Sequence, residues 1–143
     1  MTIDGLDDAA ITAILTAKRR IAMVGASANA QRPSYGVMTY LLARGYDVTP
    51  VNPGLTGQEL QGCTVVGSLD EATPIEMVDI FRASDQVPEV VDDAIRLGAR
   101  IIWMQLGVIH EEAAARARQA GLTVVMDRCP VIEAMRLNLP DPA

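Results

Sequence analysis

Residues Ile21–Tyr35 read IAMVGASANAQRPSY, and this stretch decides the fold. Ile21, Ala22, Met23 and Val24 form a short unbroken apolar run, the pattern of a central parallel strand covered on both faces. Gly25 stops the run where the chain must turn and where a side chain would stand in the way of a ligand. Small and polar residues follow at Ala26, Ser27, Ala28 and Asn29, and Arg32, Pro33 and Ser34 lead into an apolar-periodic helix. Strand, glycine turn, small-residue loop and helix together present free backbone N–H groups to a phosphate.

Outward from this stretch, strands and helices alternate. Residues 4–17 have apolar residues at helical spacing, with Lys18, Arg19 and Arg20 at the carboxyl end where the helix dipole favours cations. Ser34–Arg44 predicts the second helix, with Val37, Met38, Leu41 and Leu42 on its apolar face and Gly45 closing it. Tyr46, Val48 and Val51 give a second strand, ended by the turn Asn52-Pro53-Gly54. Val65 and Val66 predict a short third strand at the edge, and Ser68 with Glu71 predicts a capping box on a short helix. Residues 77–81 (MVDIF), 100–105 (RIIWMQ) and 122–126 (LTVVM) read as the fourth, fifth and sixth strands. Helices are expected at 86–97, capped by Ser84, at 110–120 and near 131–136, and the Pro-rich tail is expected to be loose.

Continuously apolar strands alternating with helices predict an α/β fold, a doubly wound parallel sheet with helices on both faces. The expected strand order is 3-2-1-4-5, with the sixth at the far edge. The chain then reverses direction between the first and fourth strands, and the crevice beyond their carboxyl ends is the expected ligand site. Gly25–Ser27, Asn52–Pro53 and Arg82–Ser84 surround it.

Composition narrows the function. The 143 residues suit a single domain spanning 1–143, half of them apolar and about a fifth charged. No window reaches the ~20 apolar residues of a membrane span. Twelve Lys and Arg against 18 Asp and Glu give a net charge of −6, which argues against a nucleic-acid partner. His110 is the only histidine, and Cys63 and Cys129 form no CxxC pair, so no zinc site is expected. Two free thiols and an acidic N-terminus fit a cytoplasmic protein.

The loop GASANA lacks the second and third glycines of the dinucleotide fingerprint. The acid expected at the end of the second strand, which would hold a ribose diol, is replaced by Val51-Asn52-Pro53. Arg32 and Arg82 both fall near the cleft, where they can pair with phosphates. Trp103 reads as core, and Gln105 at the end of its strand as a hydrogen-bonding group toward a ligand. His110 reads as a solvated surface residue and Cys129 as a buried thiol. Asp127 with Arg128 reads as an internal pair closing the sheet edge. No acid–base pair or nucleophile marks a catalytic centre.

The blocks GAS (25–27), RPSYGV (32–37), PVNP (50–53), FRAS (81–84), WMQLGV (103–108) and MDRCP (126–130) resemble the small stand-alone CoA-binding domain proteins. These in turn are similar to the CoA-binding N-terminal domain of the succinyl-CoA synthetase alpha subunit. The resemblance covers roughly residues 15–135 and implies a Rossmann-like fold that holds CoA at the carboxyl edge of the sheet. It implies that Gly25, Ala26, Ser27 and Asn29 cradle phosphate and that Val51, Asn52 and Pro53 line the adenosine side. It also implies that Phe81, Arg82, Ala83 and Ser84 close the cleft, and that Met104, Gln105 and Leu106 match the segment reaching the adenine.

The synthetase's CoA-contacting lysine has no counterpart in Asn52-Pro53-Gly54-Leu55-Thr56, so an arginine must supply that charge. The synthetase's second domain, with its phosphorylated histidine, has no counterpart either, so its reaction does not come with the fold. The expected function is binding of CoA or an acyl-CoA without chemistry of its own. The alternative is a small NAD(P)-dependent oxidoreductase or a CoA-transferring component, and a third reading is a redox sensor pairing Cys129 with the CoA thiol. Association as a homo-oligomer or with another protein is left open.

Overall fold

The structure, a computed structural model, describes residues 3–143. Met1 and Thr2, which the expected domain 1–143 includes, lie outside the described residues. Five parallel strands form the sheet, in the order β2 (Asp47–Val51), β1 (Arg20–Val24), β5 (Met77–Ile80), β6 (Ile101–Met104), β7 (Thr123–Val125). Val24 is in register with Val51 on one side and Ile80 on the other, so three strands end level at one edge. The chain reverses direction between β1 and β5, as the alternation of elements predicted.

Side chains along each strand alternate between two cores. Ala22, Val24, Val78, Ile80, Ile102 and Met104 pack with α3 (Val87–Arg96) and α4 (Glu111–Gln119). Ile21, Met23, Met77, Ile101 and Trp103 pack with α1 (Asp8–Thr16), α2 (Pro33–Ala43) and α5 (Pro130–Arg136). Burial on both faces is why the strands read as continuous apolar runs. Trp103 is fully buried, and its indole Nε1 donates to the Arg128 carbonyl at 2.8 Å. No helix among the described residues is long and apolar enough to cross a membrane.

Several local expectations are corrected. The third strand shrinks to a single parallel bridge, Val66 to Val51. Its neighbour Val65 spends its backbone on Gln58 and Gly57, extending the small hairpin β3 (Glu59–Leu60) and β4 (Cys63–Thr64). Pro50 accepts from the Val66 amide, so its missing N–H also falls on the outer side of β2 and leaves the ladder to β1 intact. The capping box at Ser68 does not form: the Ser68 carbonyl, not its hydroxyl, takes the Glu71 amide at 3.2 Å, the bond of a tight 3₁₀ turn over Leu69–Ala72.

The first helix starts at Asp8 rather than residue 4, because Gly5 takes a positive φ of 73° and Asp7 caps the helix by accepting from the Ala10 amide. Asp4 does other work. It receives Arg128 on both oxygens, at 2.8 and 2.9 Å, and the Met126 amide at 3.0 Å, while Arg128 also reaches Glu133 at 2.7 Å. Arg128 therefore pairs with Asp4 and Glu133, not with Asp127. The tail is tied down rather than loose: the Ala143 amide donates to Thr16, and Arg44 reaches the Leu139 carbonyl and Asp141.

Candidate functional site

At the level edge the loops leaving β1, β2, β5 and β6 enclose a cleft of about 640 Å³. Gly25, Ala26 and Ser27 come from the end of β1, Asn52 and Pro53 from β2, Phe81 and Arg82 from β5, and Gln105 and Leu106 from β6. Arg32, immediately before α2, completes the expected set that the structure brings together. Four lining residues were not expected there: Pro33, Ser34, Gly54 and Val108. Pro33 and Ser34 open α2, and a proline at the first helical position was the available signal that this end faces the loop.

Gly25 is fixed by close approach. It has φ of 89°, and a Cβ there would lie 2.5 Å from the Phe81 carbonyl oxygen. Its amide donates to Val51, so the turn is held between β2 and β5. The amides of Ala26 and Ser27 have no acceptor among the described residues. Beyond them the loop braces itself: the Asn29 amide donates to Ser27 Oγ, and Asn29 Oδ1 accepts from the Gln31 amide. Asn29 is exposed and holds the shape of the loop without lining the cleft.

Asn52 joins two walls. Its Nδ2 donates to the Ala26 carbonyl and its Oδ1 accepts from the Gly54 amide, each at 2.8 Å. An aspartate there would lack the donor for Ala26, which accounts physically for the missing carboxylate at the end of β2.

Besides Asn29, four expected residues do not line the cleft. Met104 is fully buried in the sheet core and Val51 nearly so. Ala83 is exposed outside the lining. Ser84 does not cap α3, because a 3₁₀ turn over Ser84–Gln86 intervenes. Its hydroxyl instead accepts from the Ile109 amide at 3.0 Å and donates to the Gly107 carbonyl at 3.4 Å. Asp127 accepts from the Gly107 amide at 2.8 Å. Ser84 and Asp127 thus staple the 105–110 loop that carries Gln105, Leu106 and Val108 into the cleft. His110 is the N-cap of α4, its Nδ1 accepting from the Ala113 amide, and not a freely solvated residue. Cys129 is buried and both cysteines are free.

The electrostatics of the cleft run against those of the whole chain. No aspartate or glutamate lines it, although the chain carries net −6. Arg19, Arg20, Arg44, Arg96, Arg116, Arg128 and Arg136 are in ion pairs, while Arg100 and Arg118, away from the cleft, are in none among the described residues. Arg32 and Arg82, the two in the cleft, have no carboxylate partner among the described residues. At the β6 end the Gln105 side-chain oxygen is buried with no hydrogen-bond partner, in a residue only 5 % exposed. Outside the cleft, Asp79 lies on β5 between Met23 and Trp103, with both carboxyl oxygens buried and unpartnered. Burial pushes its carboxyl well above the usual carboxylate range. It belonged to an apolar strand run, and nothing in the sequence marked it.

An open parallel sheet with a glycine turn at its switch point defines a single Rossmann-like α/β domain. The family model of the CoA binding domain matches residues 19–135, and the chain belongs to that family. An uncharacterized protein of Bacillus subtilis, YneT, is 39% identical over 122 residues, covering 85% of this chain and 89% of its own. A hypothetical protein from Pyrococcus horikoshii is similar in structure, with a TM-score of 0.90, 42% identity and 96% of each chain covered. A dinucleotide-forming acetyl-coenzyme A synthetase of Ca. Korarchaeum cryptofilum matches with a TM-score of 0.67 and 26% identity, over 79% of this chain and 27% of that one.

Proposed function

We propose that this protein binds CoA or an acyl-CoA in the cleft and has no chemistry of its own, the whole chain 1–143 acting as one binding unit. The observation that carries the reading is an acid-free cleft in an acidic protein, with Arg32 and Arg82 unpaired beside the free amides of Ala26 and Ser27. Free amides and unpaired guanidinium groups together suit a diphosphate. Gly25 lets the turn after β1 lie against the Phe81 backbone, where a Cβ would come within 2.5 Å of the Phe81 carbonyl oxygen.

In this reading Gly25, Ala26 and Ser27 hold the diphosphate, and Arg82 and Arg32 supply the charge that a lysine gives in the synthetase. Asn52 and Pro53 form the nucleoside side, with Val51 packed behind them, and a neutral asparagine in place of a carboxylate disfavours NAD. Phe81 closes the cleft from β5. Asn29, Ala83, Ser84 and Met104 act at one remove, through loop shape and core packing. Membership of the family and the acetyl-coenzyme A synthetase neighbour support CoA as the cofactor.

Isothermal titration with CoA, acetyl-CoA, NAD and NADP tests the proposal. Saturable binding of CoA or acetyl-CoA, with NAD and NADP weaker, is expected. Binding of NAD without CoA rejects the assignment.

A further inference from the structure

We propose that the start of α2 is a second anion point in the cleft, where Arg32 and Ser34 grip the 3′-phosphate on the ribose of CoA. Those two residues then separate CoA from dephospho-CoA. The proposal rests on the CoA reading above and adds to it which residues take which of the ligand's phosphate groups.

Ser34 carries the proposal. It lines the cleft and is only 3 % exposed, yet its hydroxyl has no hydrogen-bond partner among the described residues. That oxygen is not sealed from solvent either, so a ligand atom can reach it. The Ser34 backbone N–H also lacks an acceptor, since it falls in the first turn of a helix whose N-cap residue, Arg32, makes no side-chain cap. Pro33, at the first helical position, brings no N–H of its own, so Ser34 supplies the first donor of the helix. Arg32 lines the same cleft and has no carboxylate partner among the described residues. A guanidinium, a hydroxyl and an N–H, all uncommitted at the positive end of an 11-residue helix, make a donor set for a phosphate monoester.

Position decides which phosphate it meets. The helix α2 is the crossover from β1 to β2. Its first turns are tied to the segment that leaves β2. Gln61, in the turn between β3 and β4, donates to the Tyr35 carbonyl at 3.1 Å and accepts from the Thr39 hydroxyl at 2.7 Å. The start of α2 therefore belongs with the β2 limb of the cleft, where Asn52 and Pro53 form the nucleoside side. In sheets of this kind the ribose is read at the end of that strand. An acid there holds a free diol, and an arginine nearby accommodates a phosphorylated ribose. Here a neutral Asn52 replaces the acid, and Arg32 lines the same cleft. The diphosphate has donors of its own in the Ala26 and Ser27 amides and in Arg82 beyond the end of β5.

Titration calorimetry of wild-type protein, Ser34→Ala and Arg82→Gln with CoA and with dephospho-CoA, which lacks only the 3′-phosphate, tests the proposal. Wild-type protein should bind CoA at least about tenfold more tightly than dephospho-CoA, as expected for hydrogen bonds to a charged group. Ser34→Ala should lose about tenfold in CoA affinity and stay within about twofold for dephospho-CoA. Arg82→Gln should weaken both ligands by the same factor. Equal losses for both ligands in Ser34→Ala put Ser34 on the diphosphate, and unchanged CoA affinity leaves it without a ligand contact; either overturns the proposal. A loss confined to CoA in Arg82→Gln moves the 3′-phosphate to the β5 side and overturns it too. Equal binding of CoA and dephospho-CoA by wild-type protein overturns this proposal alone, even if a variant fails to fold. Wild-type protein that binds neither overturns the CoA reading itself.

Discussion

Asn52 Nδ2 lies 2.8 Å from the Ala26 carbonyl oxygen, and this one hydrogen bond ties the end of β2 to the glycine turn after β1. The same side chain accepts from Gly54 at 2.8 Å, so donor and acceptor are both committed. Asn52→Asp keeps the second bond and turns the first into a repulsion between two oxygens. It also sets a negative charge beside the proposed diphosphate. Titration calorimetry should show CoA affinity reduced at least about tenfold, with a stability loss on the order of 1–3 kcal/mol in urea melts. An aspartate variant that binds as tightly as wild type would remove Asn52 from the account.

Arg32 and Arg82 can be tested without disturbing the fold, because neither is in an ion pair among the described residues. Arg32→Gln and Arg82→Gln should each weaken CoA binding by about 10–100-fold, the range for hydrogen bonds to charged groups. Melting temperatures should stay near wild type. The salt dependence of binding should flatten in both variants, since fewer ionic contacts remain to be screened.

Gly25→Ala tests the close approach of β1 to β5. The added Cβ would meet the Phe81 carbonyl oxygen at 2.5 Å on a backbone with φ of 89°. The positive φ alone costs roughly 1–2 kcal/mol, and the clash adds to it. Chemical denaturation should show a loss above about 2 kcal/mol, with CoA binding lost as well.

Asp79 makes stability depend on pH in a direction opposite to that of Asp4. Burial raises the Asp79 carboxyl well above its ordinary range, so the folded state holds a proton that the unfolded state releases. Its contribution is greatest below the free carboxylate pKa of about 3.9 and declines as pH rises toward the folded value, by at most about 1.4 kcal/mol per pH unit. Asp79→Asn should match wild type near pH 4 and become steadily more stable than wild type at higher pH. Parallel wild-type and variant curves across that range would show that Asp79 is not protonated in the fold.

Burial pushes the Asp4 carboxyl up, but hydrogen bonds from Arg128, Leu6 and Met126 outweigh it and hold it below the usual range. Its contribution is present above the unfolded carboxylate pKa and is lost as pH falls through the lower folded value. Asp4→Ala leaves Arg128 buried with Glu133 as its remaining carboxylate partner, and a destabilisation of about 3–5 kcal/mol is expected in denaturant melts at neutral pH.

Much of the fold was legible because the strands are buried on both faces, which writes unbroken apolar runs such as Ile21–Val24 into the sequence. The glycine turn at Gly25 and the asparagine–proline corner at 52–53 were legible from backbone chemistry alone. What escaped was set by contacts distant in sequence. Arg128 looked like a partner for Asp127 until Asp4, far away in the chain, proved to take two of its three guanidinium nitrogens. Ser84 looked like a helix cap because the sequence shows the hydroxyl but not the 107–109 loop folded onto it. Asp79 stayed hidden because one acid inside an apolar strand does not disturb the pattern.

The most direct measurement of the central claim is an amide-resolved nuclear magnetic resonance titration of the protein with CoA. The account predicts saturable shifts concentrated at the Gly25, Ala26 and Ser27 amides, with further shifts at Arg82. CoA binding that leaves the 25–27 amides unmoved while perturbing another face of the sheet would contradict it.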